Sequence, residues 1–130
     1  MSQENVELVL KGAEAWNRGD MDAWFDLFDD DVVLRAAEGW PERVLYGKDE
    51  VRSFWEGYAE TVGHDTVIEE IIDADDSLVM RTRARVSGDQ SGIEGDLVAT
   101  FVVTVRKGKA VLVEFYSDRQ EALDAVGLSE

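Results

Sequence analysis

Residues 78–118 read LVMRTRARVSGDQSGIEGDLVATFVVTVRKGKAVLVEFYSD, and this stretch sets the architecture. At its start Leu78, Met80, Thr82, Ala84 and Val86 alternate with Val79, Arg81, Arg83 and Arg85. A period of two marks a strand with one face buried. Gly88-Asp89-Gln90-Ser91-Gly92 is a loop signal, and Ile93–Arg106 reads as a long strand. Lys107-Gly108 is a tight turn, and residues 109–118 form the next strand. Upstream, Thr66–Ala74 is rich in Ile and Val and ends at the turn signal Asp75-Asp76. These four runs predict a meander of antiparallel strands.

The chain before residue 66 has a different period. Val6, Val9, Leu10, Ala13 and Trp16 share one helical stripe. Asn17-Arg18-Gly19-Asp20 breaks it, with Gly19 suited to a left-handed C-cap and Asp20 to the next N-cap. Met21, Trp24, Phe25 and Phe28 form a short second helix, which Asp29-Asp30-Asp31 ends as a solvated turn. Residues 32–38 read as a first strand. A loop with Gly39, Trp40, Pro41 and Gly47 follows. Lys48–Val62 is a third helix carrying Val51, Phe54, Trp55, Tyr58 and Val62, and Gly63 stops it. Residues 119–126 make a closing helix ended by Gly127. The order α-α-β-α-β-β-β-β with a short terminal helix is an α+β pattern. A long sheet curled around early helices leaves a pocket at its open end.

Composition narrows the function classes. The 130 residues fit a single domain spanning 1–130, and 45% hydrophobic residues supply a core. A net charge of −16 argues against nucleic-acid phosphates and against anionic membranes. Without cysteine there is no disulfide framework and no thiolate metal site. One histidine rules out a three-histidine zinc site, so no metal and no cofactor is expected. Asp29-Asp30-Asp31 lacks the spacing of a calcium loop. The opening MSQENVELVLKG does not read as a signal peptide, and no run reaches the ~20 apolar residues of a span. The expected setting is the cytoplasm.

Three stretches carry a resemblance. They are AWNRGDMDAWFDLFDDDV (residues 15–32), YGKDEVRSFW (46–55) and RKGKAVLVEFYSDRQEALDAVGL (106–128). The chain resembles the SnoaL-like branch of the nuclear transport factor 2 superfamily over nearly its whole length. The resemblance implies a cone-shaped α+β fold in which a curved mixed or antiparallel sheet wraps around three N-terminal helices. It also implies an apolar pocket and a homodimer formed through the outer sheet face. Superfamily members include ketosteroid isomerases, polyketide cyclases, epoxide hydrolases, dehydratases and non-catalytic binding proteins. Fold does not choose among them.

Residue by residue, the resemblance places the isomerase base on Ala36 and the two oxyanion donors on Gly12 and Phe101. None of these side chains moves a proton, so that chemistry is not expected. The acids of the limonene-epoxide-type hydrolases also lack counterparts: no acid lies around Arg81-Thr82-Arg83, and the second position falls at Phe115. A cyclase-type acid late in the sheet has Asp96, Glu114 and Asp118 as candidates.

Alternation places Leu97, Ala99, Phe101 and Val103 inward, with Val111, Val113, Phe115 and Ser117 beside them. The expected pocket is Trp16, Ala36, Trp40, Trp55, Met80, Phe101, Val113 and Phe115, holding a small apolar molecule. The alternative is that these aromatics fill the cone as core, which would leave a structural or partner-binding domain. Glu38 is the surviving candidate for a displaced base of a cyclase, isomerase or hydrolase, with Tyr58 as a hydrogen-bond donor at the mouth. His64, just after Gly63, is expected at a surface turn. Arg81, Arg83 and Arg85 share the outer sheet face with Glu94, Asp96 and Glu114, where cross-strand ion pairs are expected.

Overall fold

A computed structural model describes residues 2–36, 44–88, 93–116 and 118–128. The chain orders as α1 (Ser2–Arg18), α2 (Met21–Phe25), β1 (Phe28–Arg35), β2 (Val44–Tyr46), α3 (Lys48–Val62), β3 (Thr66–Ala74), β4 (Ser77–Gly88), β5 (Ile93–Arg106), β6 (Lys109–Tyr116) and α4 (Arg119–Ala125). The strands form one curved, unclosed sheet in the order β2-β1-β6-β5-β4-β3. Every pairing is antiparallel except β1 with β6. The fold is therefore the mixed α+β arrangement that the sequence predicts, with α1, α2 and α3 packed on one face of the sheet. None of the described helices is long and apolar enough to cross a membrane.

Local chemistry explains the helix ends. The Asp20 carboxylate accepts from the Ala23 amide at 3.1 Å and caps α2. Gly19 (φ 73°) and Gly63 (φ 71°) adopt left-handed conformations at the ends of α1 and α3, where a side chain would be strained. The Asp118 carboxylate accepts from the Glu121 amide at 2.8 Å and caps α4.

Four expectations are corrected. The second helix stops at Phe25, and Phe28 with Asp29, Asp30 and Asp31 lies inside β1 rather than in a helix and turn. The parallel neighbour causes this: the Ala110 amide donates to the Leu27 carbonyl at 2.9 Å, and Phe28 pairs with Ala110. A register shift between Phe28 and Val33 absorbs the acids, and the Asp31 amide turns onto the Asp29 carboxylate at 2.9 Å. The loop before α3 contains the edge strand β2, paired with β1 through Leu34 and Leu45. The last strand ends at Tyr116, since Asp118 serves α4. On β6 the inward position passes to Ala110 instead of Val111, because a register shift between Thr104 and Val105 offsets the alternation there.

Among the described residues, two separate cores result. The larger lies between sheet and helices and holds Trp16, Phe25, Phe28, Val32, Leu34 and Trp55 among others. The smaller sits on the opposite face, where Ala122 and Leu123 of α4 pack on Val79 and Val102. The end of α1 is stitched to the α3–β3 turn by side-chain hydrogen bonds. Trp16 Nε1 donates to the Gly63 carbonyl at 3.1 Å. The Asn17 amide donates to the Thr66 carbonyl at 2.8 Å and accepts from its amide at 2.9 Å. Asn17 thereby occupies free backbone groups of the edge strand β3, as a short neighbouring strand would.

Candidate functional site

The sheet and helices line a partly open cavity of about 90 Å³. Its walls come from α1 (Leu8, Val9, Ala13, Trp16), Trp24, Leu27 and Phe28 around α2, and Trp55 and Tyr58 of α3. The sheet contributes Thr66, Ile68, Met80, Thr82, Ala84, Phe101, Val103, Ala110 and Val113. Among the described residues, no charged side chain lines it. The side-chain oxygens in the wall, among the described residues, belong to Tyr58, Thr66 and Thr82. Leu8 and Leu27 also border a wider polar groove outside α1, so they form the partition between cavity and surface.

The rest of the cone is aromatic. Trp16, Trp24 and Trp55 contact one another with ring centroids 5.1–5.9 Å apart, all edge to face. Trp55 also meets Phe54 at 5.3 Å, Tyr58 at 5.2 Å and Phe115 at 5.8 Å. Phe101 stands edge-on to Phe115 at 5.0 Å. Gly12 makes part of this packing possible. A Cβ there would lie 3.1 Å from Trp24 Cζ3, so glycine lets the indole rest against α1.

Of the expected pocket residues, Trp16, Trp55, Met80, Phe101 and Val113 lie on the cavity wall. Ala36 and Phe115 belong to the same core but stand off the wall. Trp40 and the candidate base Glu38 lie outside the described residues. Tyr58 is half-buried on the wall, and burial raises its pKa, so its phenol stays protonated at neutral pH. The sequence reading missed Trp24, Leu27, Phe28 and the α1 residues Leu8, Val9 and Ala13 as wall. The helical stripes through Trp24 and through Val9–Trp16 already put several of them on the apolar face. The stripes did not say which part of that face would border empty space.

His64 is exposed, yet its Nδ1 donates to the Trp16 carbonyl at 2.7 Å and its ring lies 5.2 Å from that indole. On the outer face Arg83 reaches Glu69 at 2.7 Å and Asp96 at 3.2 Å, and Arg81 reaches Glu69 at 3.4 Å. The hydrogen bond from Arg83 lowers the Glu69 pKa. Glu114 is not part of that row. It lies two strands away, 3.8 Å from Arg35, and accepts from the Tyr116 hydroxyl at 3.3 Å. Burial, then the Glu114 charge, raises the Tyr116 pKa. The side chains of Arg85 and Glu94, and Ser117, lie outside the described residues.

A family model described as SnoaL-like domain matches residues 9–113. The chain belongs to the SnoaL-like domain family. None of the curated proteins matches it. Among solved structures it is similar to a nuclear transport factor 2-like protein of unknown function from Burkholderia pseudomallei K96243, at 22% identity and TM-score 0.76, covering 95% of this chain and 98% of that one. It is also similar to Bal32a from a soil-derived mobile gene cassette, at 19% identity and TM-score 0.77, covering 96% and 97%. A third is TerC, co-crystallised with polyporic acid, at 19% identity and TM-score 0.74, covering 95% and 98%. At these identities the shared property is the SnoaL-like fold, with its early helices against the curved sheet.

Proposed function

We propose that this SnoaL-like protein binds a small, neutral, predominantly apolar molecule in the interior cavity. The observation that carries the reading is a wall in which, among the described residues, the Tyr58 phenol is the one ionisable side chain. An unpaired charge buried there would cost far more than an apolar guest returns. The size sets a limit. Ligand pockets for drug-sized molecules run to about 300–1,000 Å³. A cavity of about 90 Å³ takes a compact guest, or a larger one that displaces the mobile thioether of Met80. The relative TerC was co-crystallised with a small molecule, which supports this use of the fold.

An acid–base enzyme is the competing reading. It would need Glu38 or an acid of the last strand to act as base with the Tyr58 hydroxyl as donor, and among the described residues no carboxylate lines the wall. The test of the binding reading is native mass spectrometry of freshly purified protein, joined to methyl NMR under xenon pressure. A retained small molecule, or xenon shifts confined to Met80, Ala84, Val103 and Val113, is the expected result. No retained molecule and no xenon response would sink the reading.

We further infer that the outer sheet face pairs two copies. Val67 (59% exposed) and Val98 (38% exposed) flank Arg83 across three strands, next to ions already paired within one chain. Val67→Glu is expected to shift a sedimenting dimer to monomer. A wild-type monomer at micromolar concentration would remove this inference.

A further inference from the structure

Among the described residues, two interior indole donors have no acceptor. Trp24 Nε1 and Trp55 Nε1 are both buried from water, and neither has a hydrogen-bond partner. Both rings line the cavity, and Trp55 is only 4% exposed. The contrast with Trp16 is direct, because its Nε1–H is satisfied by the Gly63 carbonyl. A buried donor left unpaired costs about 1–3 kcal/mol, and most native buried donors find partners. Here two occur side by side, on rings whose centroids are 5.6 Å apart at an interplanar angle of 81°. In the free protein the best either N–H can have is a neighbouring ring face, which is a weak acceptor.

Resting on the binding reading above, we propose that the guest carries a neutral hydrogen-bond-accepting oxygen, of the ketone or ether class, which Trp24 and Trp55 engage with their indole N–H groups. One carbonyl oxygen has two lone pairs and can accept from both donors. The oxygen is uncharged, because among the described residues no cation lines the wall to balance an anion. It is an acceptor, because the unmet groups are donors only. Both nitrogens are closed off from water in the free protein, so binding includes a small rotation of the indoles toward the cavity. The empty volume beside them gives that rotation its space.

The test uses a matched pair of guests, cyclopentanone and cyclopentane, on the full chain. Each of the four tryptophans gives one indole N–H resonance, so the donors can be followed individually. With cyclopentanone, the Trp24 and Trp55 signals are expected to move downfield while the Trp16 signal stays. Trp24→Phe and Trp55→Phe each remove an N–H and keep a ring. Each is expected to weaken cyclopentanone binding about fivefold, the worth of a neutral hydrogen bond, and to leave cyclopentane binding unchanged. Comparing each guest with itself across variants cancels its own hydration. Should both guests bind with the indole signals still, or should the variants weaken both alike, the donors play no part and the proposal falls while the apolar pocket stands. Should neither guest bind, the pocket reading falls with it. If a Phe variant does not fold, the wild-type indole shifts alone decide.

Discussion

Trp55→Ala is expected to cost about 3–5 kcal/mol, the largest loss from any single interior substitution in this chain. Trp55 is 4% exposed and touches Trp16, Trp24, Phe54, Tyr58 and Phe115, so it joins α1, α2, α3 and β6 in one cluster. Alanine removes the transfer energy of the indole and leaves a hole continuous with the existing cavity. The cost of such holes rises by about 24 cal/mol per Å³. Partial collapse is hindered, because Trp16, Trp24 and Phe115, three of the five partner rings, rest on elements other than α3. Urea denaturation should show a lower midpoint at an unchanged slope. The same variant should admit larger guests, since the cavity it enlarges starts at about 90 Å³. Trp55→Phe separates the two effects by keeping most of the volume. A loss below about 1 kcal/mol for Trp55→Ala would show that the aromatic cluster is not the keystone of the interior.

The sequence was most legible where a single element decides its own limits. The helix α3 runs Lys48–Val62 as predicted, because glycines stand on both sides of it and its apolar residues keep one stripe. The strand β5 runs Ile93–Arg106 for a similar reason, between a loop signal and the Lys107-Gly108 turn. Misreadings cluster where a distant partner decides. Leu27 and Phe28 are drawn out of a helix by Ala110, more than 80 residues away. The edge strand β2 has three residues, too few to show a period, and exists because β1 offers it a ladder. Val111 yields its inward place to Ala110 through a register shift that no period-two pattern reveals. The site follows the same division. Met80, Phe101 and Val113 were readable from alternation, as was Trp55 from its helix. The empty volume is the small remainder after Trp16, Trp24, Trp55 and the phenylalanine rings around them pack against one another. That remainder depends on rotamers and crossing angles, and residue types alone do not express it.

Leu123→Ala is expected to destabilise the protein by about 2–5 kcal/mol and to leave the cavity untouched. Leu123 is 2% exposed and, with Ala122, holds α4 on Val79 and Val102, on the sheet face away from the cavity. α4 has seven residues, too few to persist without packing, so its helicity depends on this anchor. The upper limit of the loss is the docking free energy of α4 itself. Once the helix undocks, further damage at Leu123 costs nothing more. The Arg119–Glu70 ion pair at 2.8 Å ties the same helix to β3, and both side chains are about one-third exposed, which keeps its worth small. The diagnostic outcome is the pattern across sites. Amide exchange should quicken in α4 and in the β4–β5 residues beneath it, while xenon or cyclopentane binding stays at the wild-type level. Trp55→Ala should do the reverse, changing guest binding along with stability. If Leu123→Ala altered guest binding as strongly as Trp55→Ala does, the two cores on opposite faces of the sheet would be one cooperative unit. The outer face could then sense occupancy of the interior.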